Sequence, residues 1–228
     1  MSVDVPPSSS YIVPIFAILV GIDAYTPPFS PLNKAVGDVN KLKTLLLEHP
    51  QIKLKEKDIK ILTNEDATRE KIIEALSSLP KGLSRNNSVL FYFSGYSGSA
   101  NDSGVLCPVD SFEPGVGTIS DKTLIRLFES MSLSLSGNIV SYLARDRLKL
   151  ELIGDKIQTV FLDCFTECFK WENPSSFIVI SPEKATETVD GGVFTKSLVE
   201  VLKREEHLDG LTNQSLVDKI KAAMYDSQ

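Results

Sequence analysis

The sequence has few of the side chains on which disulfide bonding and cysteine catalysis depend. Its 228 residues include two histidines and three cysteines. Three cysteines are a small, odd number, which does not make a disulfide framework and is typical of a reducing compartment. A cysteine nucleophile needs a positioned base, usually histidine, to become a thiolate. The composition therefore argues against a disulfide-stabilised secreted domain and leaves little choice for a catalytic base.

An excess of basic residues is also missing. The chain has 24 Lys and Arg against 30 Asp and Glu, which gives a formal net charge of −6. Domains that bind nucleic acid present a basic patch or stripe, and no Lys or Arg cluster stands in this sequence. We therefore expect no nucleic-acid partner.

No hydrophobic run is long enough to be a membrane span. The candidate targeting segment, Tyr11 to Gly21, is short, contains Pro14 and follows Asp4 rather than basic residues. We therefore expect no membrane association and a cytoplasmic location. We interpret residues 1–14, which are rich in Pro and Ser, as a flexible arm, and residues 15–228 as one globular domain.

What the chain does contain is a regular alternation of strand and helix patterns, which predicts an α/β fold with a parallel sheet between two helical layers. Short apolar runs predict strands at Phe16–Ile22, Asp58–Thr63, Ser88–Phe93, Gln158–Asp163 and Phe177–Ser181. Apolar residues at three- and four-residue spacing predict helices at Ala35–Glu48, Ala67–Leu79, Lys122–Met131, Phe194–Lys203 and Ser215–Met224. Residues 132–154 fit neither period, and we interpret them as a partly helical insertion.

Helix starts are indicated by capping residues. The segment Asn64–Asp66 offers a cap before the second helix, and Ser120 offers one before the third. These capping residues indicate where each helix should begin.

Two predicted strands end in polar residues, Ser94 after one and Asp163 at the end of the other. In open α/β sheets, ligands bind beyond the carboxyl ends of the strands. Asp163 is therefore a candidate pocket residue, although a carboxylate at a strand end also serves to accept loop N–H groups. Cys164 follows it, but His49 and His207 are placed at a helix end and in a late loop, away from the strand ends.

The order of several phrases resembles the metacaspase branch of the caspase-like cysteine peptidases. The resemblance covers roughly residues 15–224 and is carried by AILVGIDAY, LNKAVGDVNKLK, VLFYFSGYSG, TVFLDCFTEC and GGVFTKSLVEVL. It implies a caspase-like three-layer sandwich, whose mainly parallel central sheet has about six strands with helices on both faces. It also implies a large-subunit-like part over about residues 15–170 and a small-subunit-like part over about residues 175–228.

Both catalytic positions implied by the resemblance are substituted. Tyr96 stands where the family has its general base, His, and Phe165 stands where it has its nucleophile, Cys. Cys164 falls on a neighbouring cysteine that the family does not use, and it should face away from Phe165 because successive strand side chains alternate. Thr166 to Cys168 also replace the family's His-Ser-Gly turn, whose backbone N–H groups would approach an oxyanion.

The resemblance also implies a substrate-binding pocket. Family members of this branch prefer Arg or Lys before the cleaved bond, and their acidic pocket is similar to the set Asp38, Ser94 and Asp163. The alternatives are a solvated carboxylate for Asp38, favoured by the dipole of its helix, and a turn role for Ser94.

Other polar residues carry weaker expectations. We predict no cofactor. Some family members bind calcium, but the acidic residues here lack a recognisable oxygen-ligand loop; they are Asp102, Asp110, Glu113 and Asp121. We interpret the cysteines as small buried hydrophobic residues; they are Cys107, Cys164 and Cys168.

Two functions follow from these residues and from the resemblance. The first is a catalytically inactive pseudo-peptidase that acts by binding or regulation in a cell-death or stress pathway. Its partner would be a protein or peptide with basic residues, one candidate being an active metacaspase. The alternative is an active cysteine endopeptidase that cleaves after Arg or Lys with an unorthodox centre on Cys164. The missing base favours the first.

Overall fold

Within the residues that the computed structural model describes, the chain forms nine strands and five helices. The described residues are 14–78, 88–135, 139–140, 159–163, 178–180, 192–205, 207–208, 211 and 213–225. The strands are β1 (Pro14–Gly21), β2 (Ile59–Thr63), β3 (Ser88–Ser94), β4 (Ser97–Ala100), β5 (Ser103–Leu106), β6 (Ile119–Ser120), β7 (Ile139–Val140), β8 (Thr159–Asp163) and β9 (Ile178–Ile180). The helices are α1 (Ala35–Glu48), α2 (Arg69–Ser77), α3 (Asp121–Leu135), α4 (Val193–Arg204) and α5 (Asn213–Tyr225).

Six of the described strands form one parallel sheet. Its order is β2-β1-β3-β8-β9, and β7 pairs with β3 beside β8. The predicted third and fourth strands, now β3 and β8, are neighbours as expected. The remaining described strands, β4, β5 and β6, form a small antiparallel sheet.

Helices cover both faces of the parallel sheet, which makes the three layers that the sequence predicts. Alternate residues of β1 enter two different cores because side chains on a strand alternate between faces. Ala17 and Leu19 pack with α1, α4 and α5, whereas Ile18 and Val20 pack with α2 and α3. Burial of each large aliphatic side chain contributes about 1.5–3 kcal/mol. The continuous apolar run of β1 is thus explained by burial on both faces.

The bounds of α1 agree with the prediction, but the start of α2 does not. Asn64 does not cap this helix: Thr68 does, with a side chain that accepts a hydrogen bond from the Lys71 N–H at 3.3 Å. The side-chain oxygen Oδ1 of Asn64 is already used, since it accepts hydrogen bonds from the N–H groups of Asp23 and Ala24 at 2.9 and 3.0 Å. The predicted cap at Ser120 is confirmed, since its hydroxyl accepts from the Thr123 N–H at 3.2 Å.

The hairpin of β4 and β5 was not predicted from the sequence, although Gly104–Asp110 has the pattern of a short extended segment and overlaps β5. Its turn residues Asn101 and Asp102 have φ of 50° and 60°. Tight hairpin turns require such left-handed residues, and Asn and Asp tolerate them best. Helix α3 extends to Leu135, past its predicted end. Apart from residues 132–135 and 139–140, the predicted insertion lies outside the described residues.

No helix in the described part of the chain is both long enough and apolar enough to cross a membrane.

Candidate functional site

The carboxyl ends of three neighbouring strands line up in one row. Gly21 of β1 pairs with Ser94 of β3, and Ser94 pairs in turn with Asp163 of β8. Neighbouring strands lie about 4.8 Å apart, so the backbones of Ser94 and Asp163 are adjacent at this edge. The prediction that these two strand ends lie side by side is confirmed.

Helix α1 lies close to this edge because β1 ends in glycine. A Cβ atom at Gly21 would be 2.7 Å from the Ala35 carbonyl oxygen and 2.7 Å from Cγ2 of Val39. These distances are shorter than real Cβ contacts, so only glycine lets the first turn of α1 reach the strand end. Asp38, which stands in that turn, is brought to the same edge.

Asp23 fixes the start of α1 from the preceding loop. Its two carboxylate oxygens accept hydrogen bonds from the backbone N–H groups of Ala35 at 2.9 Å and Val36 at 3.1 Å. An acidic side chain at this position satisfies N–H groups that have no partner within the helix and is favoured by the helix dipole. The close contact with Gly21 and the hydrogen bonds to Asp23 therefore both fix the first turn of α1, which contains Asp38.

Asp38 is a buried carboxylate, so the solvated alternative is wrong. Its side chain is 1% exposed; Oδ1 accepts a hydrogen bond from Nζ of Lys41 at 2.8 Å, and Oδ2 has no partner in the described part of the chain. Burial raises the pKa of Asp38 above its ordinary value of 3.8, and the neighbouring Lys41 ammonium opposes this rise. Only one of the two carboxylate oxygens of Asp38 therefore has a hydrogen-bond partner within the described residues.

The N-terminus of α4 closes over Asp38. Gly192, the residue before α4, has φ of 103°, and a Cβ atom there would be 3.0 Å from Oδ2 of Asp38. Both the backbone angle and the contact favour glycine. The unpartnered oxygen of Asp38 therefore faces the start of α4.

Ser94 lies on the same face of the sheet as Asp38. Alternation along β3 groups Ser94 with Leu90 and Tyr92, which pack in the core shared with α1 and α4. The hydroxyl groups of Tyr92 and Thr195 of α4 are 2.7 Å apart, which ties α4 to this strand. Ser94 is 6% exposed. The structure thus brings Asp38 and Ser94 to one face and one edge, with the Asp163 backbone beside Ser94.

Tyr96, at the position of the family's base, belongs to a group of four rings that we call the aromatic cluster. It consists of Tyr25, Phe29, Tyr96 and Phe112. The ring of Tyr96 stacks on Phe29 with centroids 4.3 Å apart and meets Tyr25 edge-on at 4.9 Å. Phe112 meets Phe29 edge-on at 4.7 Å. The ring of Tyr96 is therefore engaged in packing rather than presented to a cysteine.

Tyr25 also fixes the backbone that follows β3. Its hydroxyl accepts a hydrogen bond from the Tyr96 N–H at 3.0 Å and donates one to the Cys107 carbonyl oxygen at 2.7 Å. A Cβ atom at Gly95 would be 2.5 Å from this hydroxyl. The turn after β3 is thus attached to the segment after β5.

Neither histidine stands at the candidate site. His49 follows the last turn of α1, about 20 Å from its first turn at 1.5 Å per residue. Its Nε2 lies 3.1 Å from the Leu202 carbonyl oxygen and 3.3 Å from that of Glu205. Because carbonyl oxygens only accept, Nε2 carries the proton, and this ring links α1 to the end of α4. His207 is exposed beyond α4.

Cys107 agrees with its interpretation as a small buried residue. It is 4% exposed, and burial raises the pKa of its thiol to about 11. A thiol with such a pKa is almost entirely protonated near neutral pH and is a poor nucleophile. Cys164, Phe165 and Cys168 lie outside the described residues.

The acidic residues considered for calcium do not come together. Within the described chain, no three His, Cys, Asp or Glu side chains form a group that could hold a metal ion. Asp110 accepts a hydrogen bond from the Arg69 N–H at 2.8 Å, and Asp121 accepts one from the Gly104 N–H at 3.1 Å. Both carboxylates therefore have a structural role that the sequence did not suggest.

Comparison with known proteins identifies the family of this chain. The family model for the caspase domain matches residues 15–228. The chain belongs to the caspase domain family. This caspase-like domain is similar to Metacaspase-1B of Neurospora crassa, with 29% identity over 126 residues, which supports the metacaspase branch. The match covers 49% of the chain and 28% of that metacaspase, so it spans much less than two thirds of this relative.

A solved structure supports the fold. The caspase-like domain is similar to protein GSU0716 from Geobacter sulfurreducens, with a TM-score of 0.58 and 16% identity. The similarity covers 90% of this chain and 87% of the other. At this identity it shows a shared fold and nothing further.

Some residues of the site were missed in the sequence. The spacing of Asp38 and Lys41 is one at which helical side chains meet, so their ion pair was open to prediction. The pair Gly191-Gly192 before a predicted helix was also a signal, because glycine readily adopts backbone angles that other residues avoid. Tyr25 and Phe29, in contrast, stand in a proline-rich loop without periodicity, and only the folded chain shows their contacts.

The raised pKa of Asp38 predicts how stability depends on pH. The unfolded chain loses this proton near pH 3.8, whereas the folded chain keeps it to higher pH, so ionisation lowers the free energy of unfolding as pH rises. We expect the stability of Asp38→Asn relative to wild type to rise with pH above about pH 4, measured by urea unfolding.

Asp66→Asn is the matched control. Asp66 is exposed, and its hydrogen bond with Lys71 lowers its pKa. It is therefore almost fully ionised in both states above about pH 5, and from there its stability difference from wild type should be flat while that of Asp38→Asn rises. A flat profile for both variants would contradict the assignment of a buried, half-paired carboxylate to Asp38.

Proposed function

We propose that this caspase-like domain is a pseudo-peptidase that binds a basic side chain of a protein or peptide partner and does not cleave beside it. The observation that carries the proposal is Asp38: a carboxylate 1% exposed, with one oxygen unpartnered among the described residues, on the face and edge where Ser94 lies. Buried charges are normally paired. A carboxylate kept half-paired at a strand edge suits a site that awaits a cation.

The chemistry of the site favours a guanidinium or ammonium group. The backbone of Asp163 pairs with that of Ser94, and two carboxylates at one buried site are tolerable when a cation comes between them. A guanidinium is planar and offers several N–H donors, so it can engage two carboxylates while a hydroxyl accepts another N–H. We therefore assign Asp38, Ser94 and Asp163 to binding.

Cleavage is not expected because the covalent mechanism lacks both partners. Phe165 has no nucleophilic atom, and the phenol of Tyr96 is a much weaker base than imidazole. The described ring of Tyr96 is also held by Phe29 and Tyr25. An active centre on Cys164 would need a base, and His49 and His207 are remote from this edge.

The proposal also includes the compartment and the pathway in which the domain acts. The low cysteine count supports a reducing compartment, and we include a cytoplasmic location. Membership of the caspase domain family supports a role in a cell-death or stress pathway, with an active metacaspase as a candidate partner. We include no cofactor in the binding function.

Binding is tested with an Arg-containing peptide and its citrulline counterpart, which keeps the shape and removes the charge. We expect weak binding of the Arg peptide, weaker at high salt because the attraction is electrostatic. Asp163→Asn should weaken binding at least about tenfold, since a charge-assisted hydrogen bond contributes about 1.5–3 kcal/mol. Calorimetry or NMR titration measures this.

Asp66→Asn, an exposed carboxylate outside the row, serves as the control and should bind like wild type. Equal binding of the two peptides, or no interaction at millimolar peptide, would contradict the proposal. Turnover of an Arg substrate that disappears in Cys164→Ala would establish the alternative, an active endopeptidase.

A further inference from the structure

We infer that the aromatic cluster is a second docking surface, which receives an aromatic side chain next to the partner's basic residue. The inference rests on the proposed function for the neighbouring basic side chain. The surface itself rests on other residues than those assigned to binding above.

The cluster presents an apolar surface to solvent. The side chain of Phe112 is 52% exposed; within the described chain, it and Tyr225 are the exposed large hydrophobic residues. Phe29 and Tyr96 are partly buried beside it, and the prolines of the same loop are exposed; these are Pro27, Pro28 and Pro31. A contiguous apolar surface of this kind typically marks a binding site, whereas an isolated exposed residue does not.

The surface borders the candidate site. Tyr96 follows Ser94 by two residues, and the loop that carries Tyr25 and Phe29 connects β1 to α1, the helix of Asp38. A peptide that places a basic side chain between Asp38 and Ser94 would therefore extend past these rings. Tyr25, Phe29 and Tyr96 pack against the core on the other face of the sheet from Ser94. Successive side chains of an extended peptide point to opposite sides, so the side chain next to the basic one would point toward the cluster.

The rings are already fixed before a partner arrives. Tyr25 is anchored by two hydrogen bonds, and Tyr96 and Phe29 are stacked with 14° between their planes. Binding to fixed rings loses little conformational entropy. Flat, partly exposed rings suit another aromatic ring, which can pack edge-on or offset against them.

The charge of the surroundings selects the same partner. Glu113, which is exposed, follows Phe112 directly, and Asp110 stands in the same turn. The whole chain carries a net charge of −6. An exposed carboxylate such as that of Glu113, next to an apolar surface, favours a segment that combines apolar and basic residues. The partner is therefore a peptide with an aromatic residue beside Arg or Lys.

Three peptides of otherwise identical sequence test this inference: Trp-Arg, Ala-Arg and Trp-citrulline at the two central positions. With wild type, we expect Trp-Arg to bind about two- to tenfold more tightly than Ala-Arg, the range typical of one aromatic pair. Phe112→Ala should abolish that preference. Tyr225→Ala is the matched control, because Tyr225 is an exposed aromatic residue on α5, and it should keep the preference.

Phe112→Leu, which keeps an apolar side chain, and circular dichroism of each variant guard against a folding defect. Equal affinity for Trp-Arg and Ala-Arg, with Trp-citrulline bound more weakly, overturns the inference and leaves the proposed function standing. Equal affinity for Trp-Arg and Trp-citrulline, with the preference for Trp lost in Phe112→Ala, supports the inference and overturns the proposed function. Absence of binding to all three peptides at millimolar concentration overturns both.

Discussion

The double variant Tyr96→His with Phe165→Cys is expected to cleave Arg substrates weakly, whereas wild type and both single variants do not. A cysteine peptidase needs the thiol and the base together, because the thiolate is the attacking species. Removal of a catalytic residue leaves only about 10³–10⁴-fold acceleration over water, from binding and oxyanion contacts. Either single substitution restores one half of a mechanism and should therefore leave turnover at background.

The register of the sheet supports this choice of positions. Ser94 and Asp163 are paired neighbours, and positions 96 and 165 each follow one of them by two residues. The two positions are thus equally far along the chain from a paired couple of residues on adjacent strands. Recovery should be small because Thr166 to Cys168 still replace the family's His-Ser-Gly turn, which lends oxyanion N–H groups.

A fluorogenic Arg substrate measures turnover, and a thiol-directed alkylating reagent measures thiolate formation as a function of pH. Both are measured in a background of Cys164→Ala and Cys168→Ala, so that the new thiol is the one cysteine left in the segment that follows β8. In the double variant, alkylation should begin at lower pH than in Phe165→Cys alone, because the added imidazole stabilises the thiolate. Equal alkylation profiles, or equal turnover in the single and double variants, would show that positions 96 and 165 do not cooperate.

The helices and the sheet could be predicted because their sequences carry one dominant period. The apolar stripe of α1 fixed both of its bounds, and the apolar run of β1 indicated a strand buried on two faces. The start of α2 could not be predicted in this way. Asn64 and Thr68 are both good caps, and the choice depended on Asn64 being used by the backbone of Asp23, about 40 residues earlier.

The site was predictable in its residue types but not in its electrostatics. Sequence order and resemblance indicated Asp38, Ser94 and Asp163. Whether Asp38 is solvated or buried depends on Gly21 and Gly192, which allow α1 and α4 to close over it. Such long-range contacts leave no periodic pattern. Likewise, the stacking of Tyr96 on Phe29 joins two segments that are more than 60 positions apart in the printed sequence.

Gly21→Ala should destabilise the protein strongly for a single added methyl group. Its Cβ atom would be 2.7 Å from a backbone oxygen of Ala35, which cannot turn away as a flexible side chain can. Overpacking of this kind typically costs about 1–3 kcal/mol. Alanine also restricts the unfolded chain, which offsets about 0.4–1 kcal/mol of that cost. The steric effect is the larger one, so we expect a lower melting temperature.

Gly37→Ala provides the control with the opposite sign. Gly37 is an exposed residue inside α1, and nothing lies within 4 Å of a Cβ atom built there. Glycine inside a helix costs about 1 kcal/mol relative to alanine, so this variant should be more stable than wild type. Each 1 kcal/mol corresponds to about 2–4 °C in melting temperature for a chain of this size.

The same pair of variants connects packing to binding. Relief of the overlap at Gly21 requires α1 to move away from the end of β1, and Asp38 moves with its helix. Gly21→Ala should therefore weaken binding of the Arg peptide even at temperatures where the variant is fully folded, whereas Gly37→Ala should leave binding unchanged. If folded Gly21→Ala bound the Arg peptide like wild type, the close approach of α1 to the strand end would serve stability alone, and Asp38 would not belong to the binding site.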